Sequence, residues 1–207
     1  MTGSNGCSAT ASLAITQNTT APTAGITNNS GSTVLTCSQN SIGLTATGGA
    51  TYAWSGSLGS NANASVTLPG VYVVTVTAAN GCKSNATITI TQNTTAPNAG
   101  ITNNSGSAVL NCTLNTISLT ATGGVSYAWS GGLGNTANAS VSNVSNITVT
   151  VTAANGCTAT SNLAITQNTA APNAGITNNS GTSTLTCSQA SISLTASGGS
   201  SYVWSGG

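Results

Sequence analysis

The sequence has almost no charge. It contains no Asp, no Glu and no His, and its one basic side chain is Lys83. General acid and base catalysis needs side chains that titrate near the working pH, and nucleic-acid binding relies on clusters of Lys and Arg. The composition therefore argues against an enzyme and against a nucleic-acid partner.

The same absences remove most metal sites and cofactors. Calcium prefers carboxylate oxygens, and zinc prefers thiolate and imidazole, so cysteine is the one candidate ligand left. We expect no metal and no cofactor. No segment resembles a signal peptide, and no apolar run approaches the roughly 20 residues that span a bilayer. We expect a stretch of a longer array, with its secretion signals and anchors elsewhere.

What the sequence does contain is repetition. The phrase "VTVTAANGC" begins at Val74 and again, letter for letter, at Val149. Cysteines, tryptophans and the segment "AGITNNSG" all return at the same interval of 75 residues. A unit of this size lies near the lower end of an independent domain. We therefore predict complete repeats at 20–94 and 95–169, with the end of a preceding repeat at 1–19 and the start of a following one at 170–207.

The hydrophobic pattern predicts strands and no helix. Stretches such as "VYVVTVT" and "ATITIT" alternate apolar and polar residues with period two, which is typical of half-buried strands. Glycine-containing turns separate them. Seven short strands with turns between them predict an all-β fold of tandem, antiparallel, immunoglobulin-type β-sandwiches. In the first repeat, the predicted strands lie near 24–27, 33–36, 41–47, 51–55, 64–68, 71–78 and 84–91.

Each repeat carries one tryptophan, at Trp54, Trp129 and Trp204. A single tryptophan on a strand of each repeat indicates a core position. We expect Trp54, Trp129 and Tyr72 to be core residues. A platform on which sugars stack is the alternative interpretation of the tryptophans.

Six cysteines at the repeat interval predict disulfides rather than a metal site. Two pairings are open along the chain, Cys37 with Cys82 inside one repeat or Cys82 with Cys112 across a joint. We favour the first, with Cys112 and Cys157 paired likewise, because it ties the strand entering the sandwich to the turn after its penultimate strand. Closing such a loop stabilises a fold by roughly 4 kcal/mol on the chain-entropy model. Disulfides place the chain outside the cytoplasm.

Asn-x-Ser/Thr sequons provide candidate glycosylation sites at Asn63, Asn85 and Asn138. An Asn- and Thr-rich chain also produces such matches by chance. Attached sugars would add to the hydration that Ser, Thr and Asn side chains give an uncharged surface.

The segments "SLTATGGVSYAWSGGLG" and "LPGVYVVTVTAANGC" resemble the Ig-like and PKD-like tandem repeats of giant Bacteroidetes cell-surface adhesins. Those adhesins are secreted by the type IX system and include gliding-motility adhesins. The resemblance implies an extracellular location and a role in attachment or surface filaments. Family members usually carry acidic residues near "NGC", and this chain has none. In the second repeat Ile147 replaces Tyr72, so a tyrosine-corner hydrogen bond is expected in the first repeat alone.

Two functions fit these observations. The first is an extracellular structural stalk, fibre or surface filament, whose partners are neighbouring repeats and other copies of the chain. The alternative is an adhesin whose repeats bind surface glycans weakly and act together by avidity. The near-identity of the loops "GSLGSNANAS" and "GGLGNTANAS" favours the first, because binding loops usually differ from spacer loops.

Overall fold

The computed structural model describes residues 1–206, and that part of the chain is all-β, with sixteen strands and no helix. The first repeat contains seven strands, each within two residues of its predicted bounds. They are β1 (Gly25–Asn28), β2 (Val34–Thr36), β3 (Ile42–Thr47), β4 (Thr51–Trp54), β5 (Asn63–Val66), β6 (Gly70–Thr77) and β7 (Lys83–Asn93).

The second repeat has the same seven strands in the same order. They are β8 (Gly100–Asn103), β9 (Val109–Leu110), β10 (Ile117–Thr122), β11 (Ser126–Trp129), β12 (Asn138–Val141), β13 (Ser145–Thr152) and β14 (Thr158–Gln167). After it come β15 (Gly175–Asn178) and β16 (Leu194–Ser197), which pair with each other.

Each repeat folds into two sheets around one core. In the first repeat the sheets have the strand orders β1-β3-β5 and β2-β7-β6-β4, and the second repeat copies both orders. Alternation within the strands explains the core. In β3, Ile42, Leu44 and Ala46 are buried while the residues between them are not, because successive side chains point to opposite faces of a sheet. Val74 and Val76 of β6 meet them from the opposite sheet.

The tryptophans of the two repeats are buried at the ends of β4 and β11. Trp54 and Trp129 are each 7% exposed. The Trp54 Nε1–H donates a hydrogen bond to the Asn61 carbonyl at 3.0 Å. In the second repeat the Trp129 Nε1–H donates to the Thr136 carbonyl at 2.9 Å. A buried indole N–H thus finds a partner in both repeats.

One strand pair in each repeat is parallel, which departs from the predicted antiparallel sandwich. β2 pairs in parallel with the end of β7, so Val34 lies opposite Thr91 and Thr36 opposite Asn93. β9 pairs with β14 in the same way. Between β1 and β2 the chain crosses from one sheet to the other, and β2 then runs in the same direction as β7. The pairing brings β2 to the end of the repeat from which the chain leaves.

The segments outside the two repeats bury much less apolar surface. Leu13 and Ile15 are 85% and 86% exposed. Ile90, which stands 75 positions after Ile15, is 1% exposed. Leu185 is likewise 60% exposed, against 3% for Leu35. These residues carry the core pattern of a repeat without the strands that would cover them.

Candidate functional site at the joint between repeats

The structure brings three segments together where the first repeat meets the second. They are the linker 93–95, the β13–β14 turn 153–157 and the loop after β2, which contains Cys37 and Ser38. We call this arrangement the joint.

The β13–β14 turn is built by the sequence "AANGC". The Ala153 N–H donates to the Cys157 carbonyl at 2.9 Å, and the Gly156 N–H donates to the Ala153 carbonyl at 2.9 Å. Gly156 has φ of 78°, a left-handed conformation that glycine adopts without steric cost. The Asn155 Oδ1 accepts a hydrogen bond from the Cys157 N–H at 3.1 Å, which is an Asx turn. The turn therefore positions Cys157.

The side-chain NH2 group of Asn155 binds the linker, while its Oδ1 closes the turn. The Asn155 Nδ2 donates to the Asn93 carbonyl at 3.3 Å, to the Asn93 Oδ1 at 3.1 Å and to the Thr95 carbonyl at 2.9 Å. One asparagine thus closes its own turn and fastens the chain segment that enters its repeat.

The first repeat contains the same clamp one period earlier. The Asn80 Nδ2 donates to the Asn18 carbonyl, to the Asn18 Oδ1 and to the Thr20 carbonyl at 3.4, 3.2 and 3.0 Å. The Asn80 Oδ1 accepts from the Cys82 N–H at 3.0 Å. The clamp is therefore a property of the repeat and does not depend on what lies beyond it.

A disulfide crosses the joint. Cys37 of the first repeat is bonded to Cys157 of the second, 120 residues later in the chain, with the two Cα atoms 4.9 Å apart. Cys157 is 3% exposed. The bond makes the joint covalent at a second point, in addition to the linker.

This pairing corrects the predicted pairs Cys37–Cys82 and Cys112–Cys157. Cys82 precedes β7, whereas Cys37 follows β2, which pairs with the last three residues of β7. The two cysteines therefore lie at opposite ends of an 11-residue strand, about 35 Å apart at the rise of an extended chain. A disulfide needs its Cα atoms within about 7 Å. The alternative pair, Cys82 with Cys112, does not form either, and both are free thiols.

Ser38 packs directly against the turn across the joint. Its N–H and its Oγ each lie 3.4 Å from the Asn155 carbonyl. A β carbon placed on Gly156 would lie 2.6 Å from the Ser38 Cβ, which is closer than such atoms come. Gly156 is thus needed twice, for its backbone conformation and for the close approach of Ser38.

The remaining predicted residues lie away from the joint. Tyr72 packs against the first core while its hydroxyl donates to the Leu68 carbonyl at 2.9 Å, as a tyrosine corner would. Trp204 is 52% exposed. The sequon residues Asn63, Asn85 and Asn138 lie on strands β5, β7 and β12 and are exposed.

A row of polar side chains crosses the outer face of the three-stranded sheets. In the first repeat, the Asn29 Nδ2 donates to the Thr45 Oγ1 at 2.8 Å, and the Thr45 hydroxyl donates to the Asn63 Oδ1 at 2.7 Å. The second repeat contains the same row at Asn104, Thr120 and Asn138, with both distances 2.8 Å. We call it the amide row.

The sequence prediction missed Asn80, Asn155 and Ser38. A signal was present, because "ANGC" and "TQNT" both recur at the same interval, but their contact is made only in three dimensions. Residues 1–206 contain no cluster of three or more metal-ligating His, Cys, Asp or Glu side chains. No helix suited to crossing a membrane occurs in them.

Comparison with known proteins leaves the family open. The chain matches no protein-family model, and it matches no curated protein sequence. Among solved structures it is similar to one described as "Structural insight into host cell surface retention of a 1.5-MDa bacterial ice-binding adhesin". That similarity has a TM-score of 0.47 at 18% sequence identity, and covers 80% of this chain and 71% of that one.

Proposed function

We propose that this chain is part of an extracellular stalk, fibre or surface filament of a bacterial adhesin, made of immunoglobulin-type units at 20–94 and 95–169. The observation that carries the proposal is the joint. A spacer must keep its units in line, and here a disulfide and a clamped linker connect consecutive units. β7 alone has 11 residues, or about 35 Å of extended chain, so a row of such units reaches far.

Two further features support the assignment. The strand orders β1-β3-β5 and β2-β7-β6-β4 separate the strands between two sheets much as immunoglobulin folds do. The Cys37–Cys157 disulfide fits an oxidising compartment outside the cytoplasm. We therefore place the chain at the cell surface or in a secreted filament.

Small-angle X-ray scattering of the full chain tests the stiffness that a stalk needs. The oxidised protein should scatter as an elongated particle with a defined largest dimension. Reduced protein and the Cys37→Ser variant should show a broader distribution of distances, because the linker alone would then hold the joint. Cys187→Ser, which removes an exposed free thiol, is the matched control. Identical profiles for all four samples would contradict a stiff joint.

The location is tested on native cells by immuno-electron microscopy with an antibody against the repeats. Label at a distance outside the cell envelope is expected. Label confined to the cytoplasm would overturn the proposal.

Self-association of chains is part of the proposal. A surface with one charged side chain offers little repulsion between copies, and β4 and β5 are sheet edges with unpaired backbone groups. Analytical ultracentrifugation should show association that increases with concentration. A chain that stays monomeric at every concentration and salt level would contradict the proposed self-association, and the stalk assignment would then stand without it.

The second candidate function is glycan binding by avidity, and the amide row is the observation that favours it. The row presents the same amide and hydroxyl groups on both repeats, and sugars bind to such groups. A glycan array probed with the full chain tests it, with the double variant Thr45→Val and Thr120→Val as the comparison. Binding that the double variant loses would establish this function, and an array without signal would leave the stalk alone.

A further inference from the structure

The joint has a counterpart at each outer end of the two repeats. Cys82 stands 75 positions before Cys157, and Cys112 stands 75 positions after Cys37. Cys82 is partly exposed, Cys112 is exposed, and both are free. In the repeat order, Cys82 lies at the entry end of the first repeat and Cys112 at the exit end of the second.

The entry end of the first repeat already has the conformation that it has in the joint. The Ala78 N–H donates to the Cys82 carbonyl at 2.9 Å, as the Ala153 N–H does to Cys157. Asn80 holds Asn18 and Thr20 within 0.1 Å of the distances by which Asn155 holds Asn93 and Thr95. The turn that ends at Cys82 therefore has the backbone hydrogen bonds of the bonded turn, although Cys82 itself is free.

The exit end of the second repeat is preformed as well. Before Cys112, the Asn111 N–H donates to the Leu114 carbonyl at 2.9 Å. The Thr36 N–H beside the bonded Cys37 donates to the Gln39 carbonyl at the same distance. The loop keeps its turn whether or not its cysteine is bonded.

Gly81 shows what is missing at the entry end. Its φ is 80°, against 78° for Gly156. A β carbon on Gly156 would collide with Ser38, but one on Gly81 would meet nothing within 4 Å. The surface that Ser38 covers in the joint is open at the same place on the first repeat.

We propose that Cys82 and Cys112 each carry one half of this same joint, and that each forms a disulfide with a further copy of the repeat when one is placed beside it in the same polypeptide. At Cys82 the partner is an "LTC"-type cysteine placed 120 positions earlier, and at Cys112 it is an "NGC" cysteine placed 120 positions later. Residues 1–19 and 170–206 carry the repeat sequence on both sides, which makes another copy of the repeat the partner that fits. A repeat with a copy on each side is then bonded to both.

The chemistry is thiol–disulfide exchange. Two cysteine thiols lose two protons and two electrons to a small-molecule disulfide such as oxidised glutathione. One sulfur–sulfur bond forms in the protein, the bond in the oxidant breaks, and two molecules of reduced glutathione leave.

A lengthened chain tests the proposal. A second copy of 95–169 is inserted after Thr169, which raises the number of cysteines from six to eight. After equilibration in glutathione buffer, free thiols are counted by alkylation in denaturant and mass spectrometry. The original chain, without the insertion, has four free cysteines and one disulfide. The lengthened chain should still have four free cysteines, with two disulfides. Six free thiols would overturn the proposal.

Two matched variants of the lengthened chain identify the bond. Cys112→Ser should raise the count of free thiols from four to five, because it releases the cysteine 120 positions later. Cys82→Ser should lower the count to three and leave both disulfides. If the new bond instead lay inside the inserted copy, Cys112→Ser would also lower the count to three, and the proposal would fail. These counts do not depend on where the protein is located, so they are independent of the stalk assignment.

Discussion

Gly156 and Ser38 belong to different repeats and touch more closely than any residue with a side chain at position 156 would permit. A β carbon placed on Gly156 would lie 2.6 Å from the Ser38 Cβ and 2.9 Å from the Ser38 backbone nitrogen. Gly81 has nearly the same φ, and a β carbon placed on it would meet nothing within 4 Å. The two glycines therefore differ in one respect, which is that Gly156 is in contact with Ser38 of the neighbouring repeat.

Substituting each glycine by alanine separates backbone strain from the joint. Gly81→Ala and Gly156→Ala should share the cost of a left-handed alanine, about 1 kcal/mol. Gly156→Ala should also push Ser38 away and lower the equilibrium constant for the Cys37–Cys157 bond about tenfold, since overpacking costs about 1–3 kcal/mol. Titration with reduced and oxidised glutathione measures this constant. Equal constants in the two variants would show that Ser38 moves freely.

The linker clamp predicts a separate effect of Asn155→Asp. A carboxylate still accepts the hydrogen bond from the Cys157 N–H, but it cannot donate to the Asn93 and Thr95 carbonyls. The free energy of unfolding of the oxidised chain should fall by about 1 kcal/mol, as measured by urea denaturation. Asn85→Asp places the same charge on an exposed position of β7 and should have little effect. Equal losses would attribute the effect to charge alone.

The disulfide predicts the response of the chain to pulling from its ends. The bond bypasses the segment between Cys37 and Cys157, which contains every buried core residue of the two repeats except Leu35 and Ile165. Tension can strip β1, β2 and β14 but cannot extend what lies between the cysteines.

Single-molecule force spectroscopy measures this bypass. The sequence separation of 120 residues corresponds to about 430 Å of extended chain. Reductant, or the Cys37→Ser variant, should increase the fully extended length by about this amount, while Cys187→Ser should not. An oxidised chain as extensible as the reduced one would show that the bond is absent in solution.

The composition predicts stability that is nearly independent of pH between about 4 and 7. Stability changes with pH when groups bind different numbers of protons in the folded and unfolded states. Carboxylate and imidazole side chains titrate in this range, and the chain has no Asp, Glu or His. Urea denaturation at several pH values should give free energies within about 0.5 kcal/mol of each other. A change of several kcal/mol would require a titrating group that the sequence does not contain.

The strands show how much of the fold is predictable from the sequence. Alternation in "VYVVTVT" places Val74 and Val76 on one face, and both are fully buried. This works because period-two patterning and glycine turns are local properties of the chain. The parallel pairing of β2 with β7 is not local. The parallel pairing depends on which sheet the chain joins after β1, and no residue pattern between β1 and β2 predicts that choice.

The cysteines show which features follow from the sequence and which depend on the tertiary structure. The sequence by itself determined the all-β character, the interval of 75 residues and the fact that two cysteine types recur with it. Only the tertiary structure decided that Cys37 bonds to Cys157. The reason is that β2 and the turn before β7 lie at opposite ends of one repeat, so the nearest cysteine in space belongs to the next repeat and not to the same one.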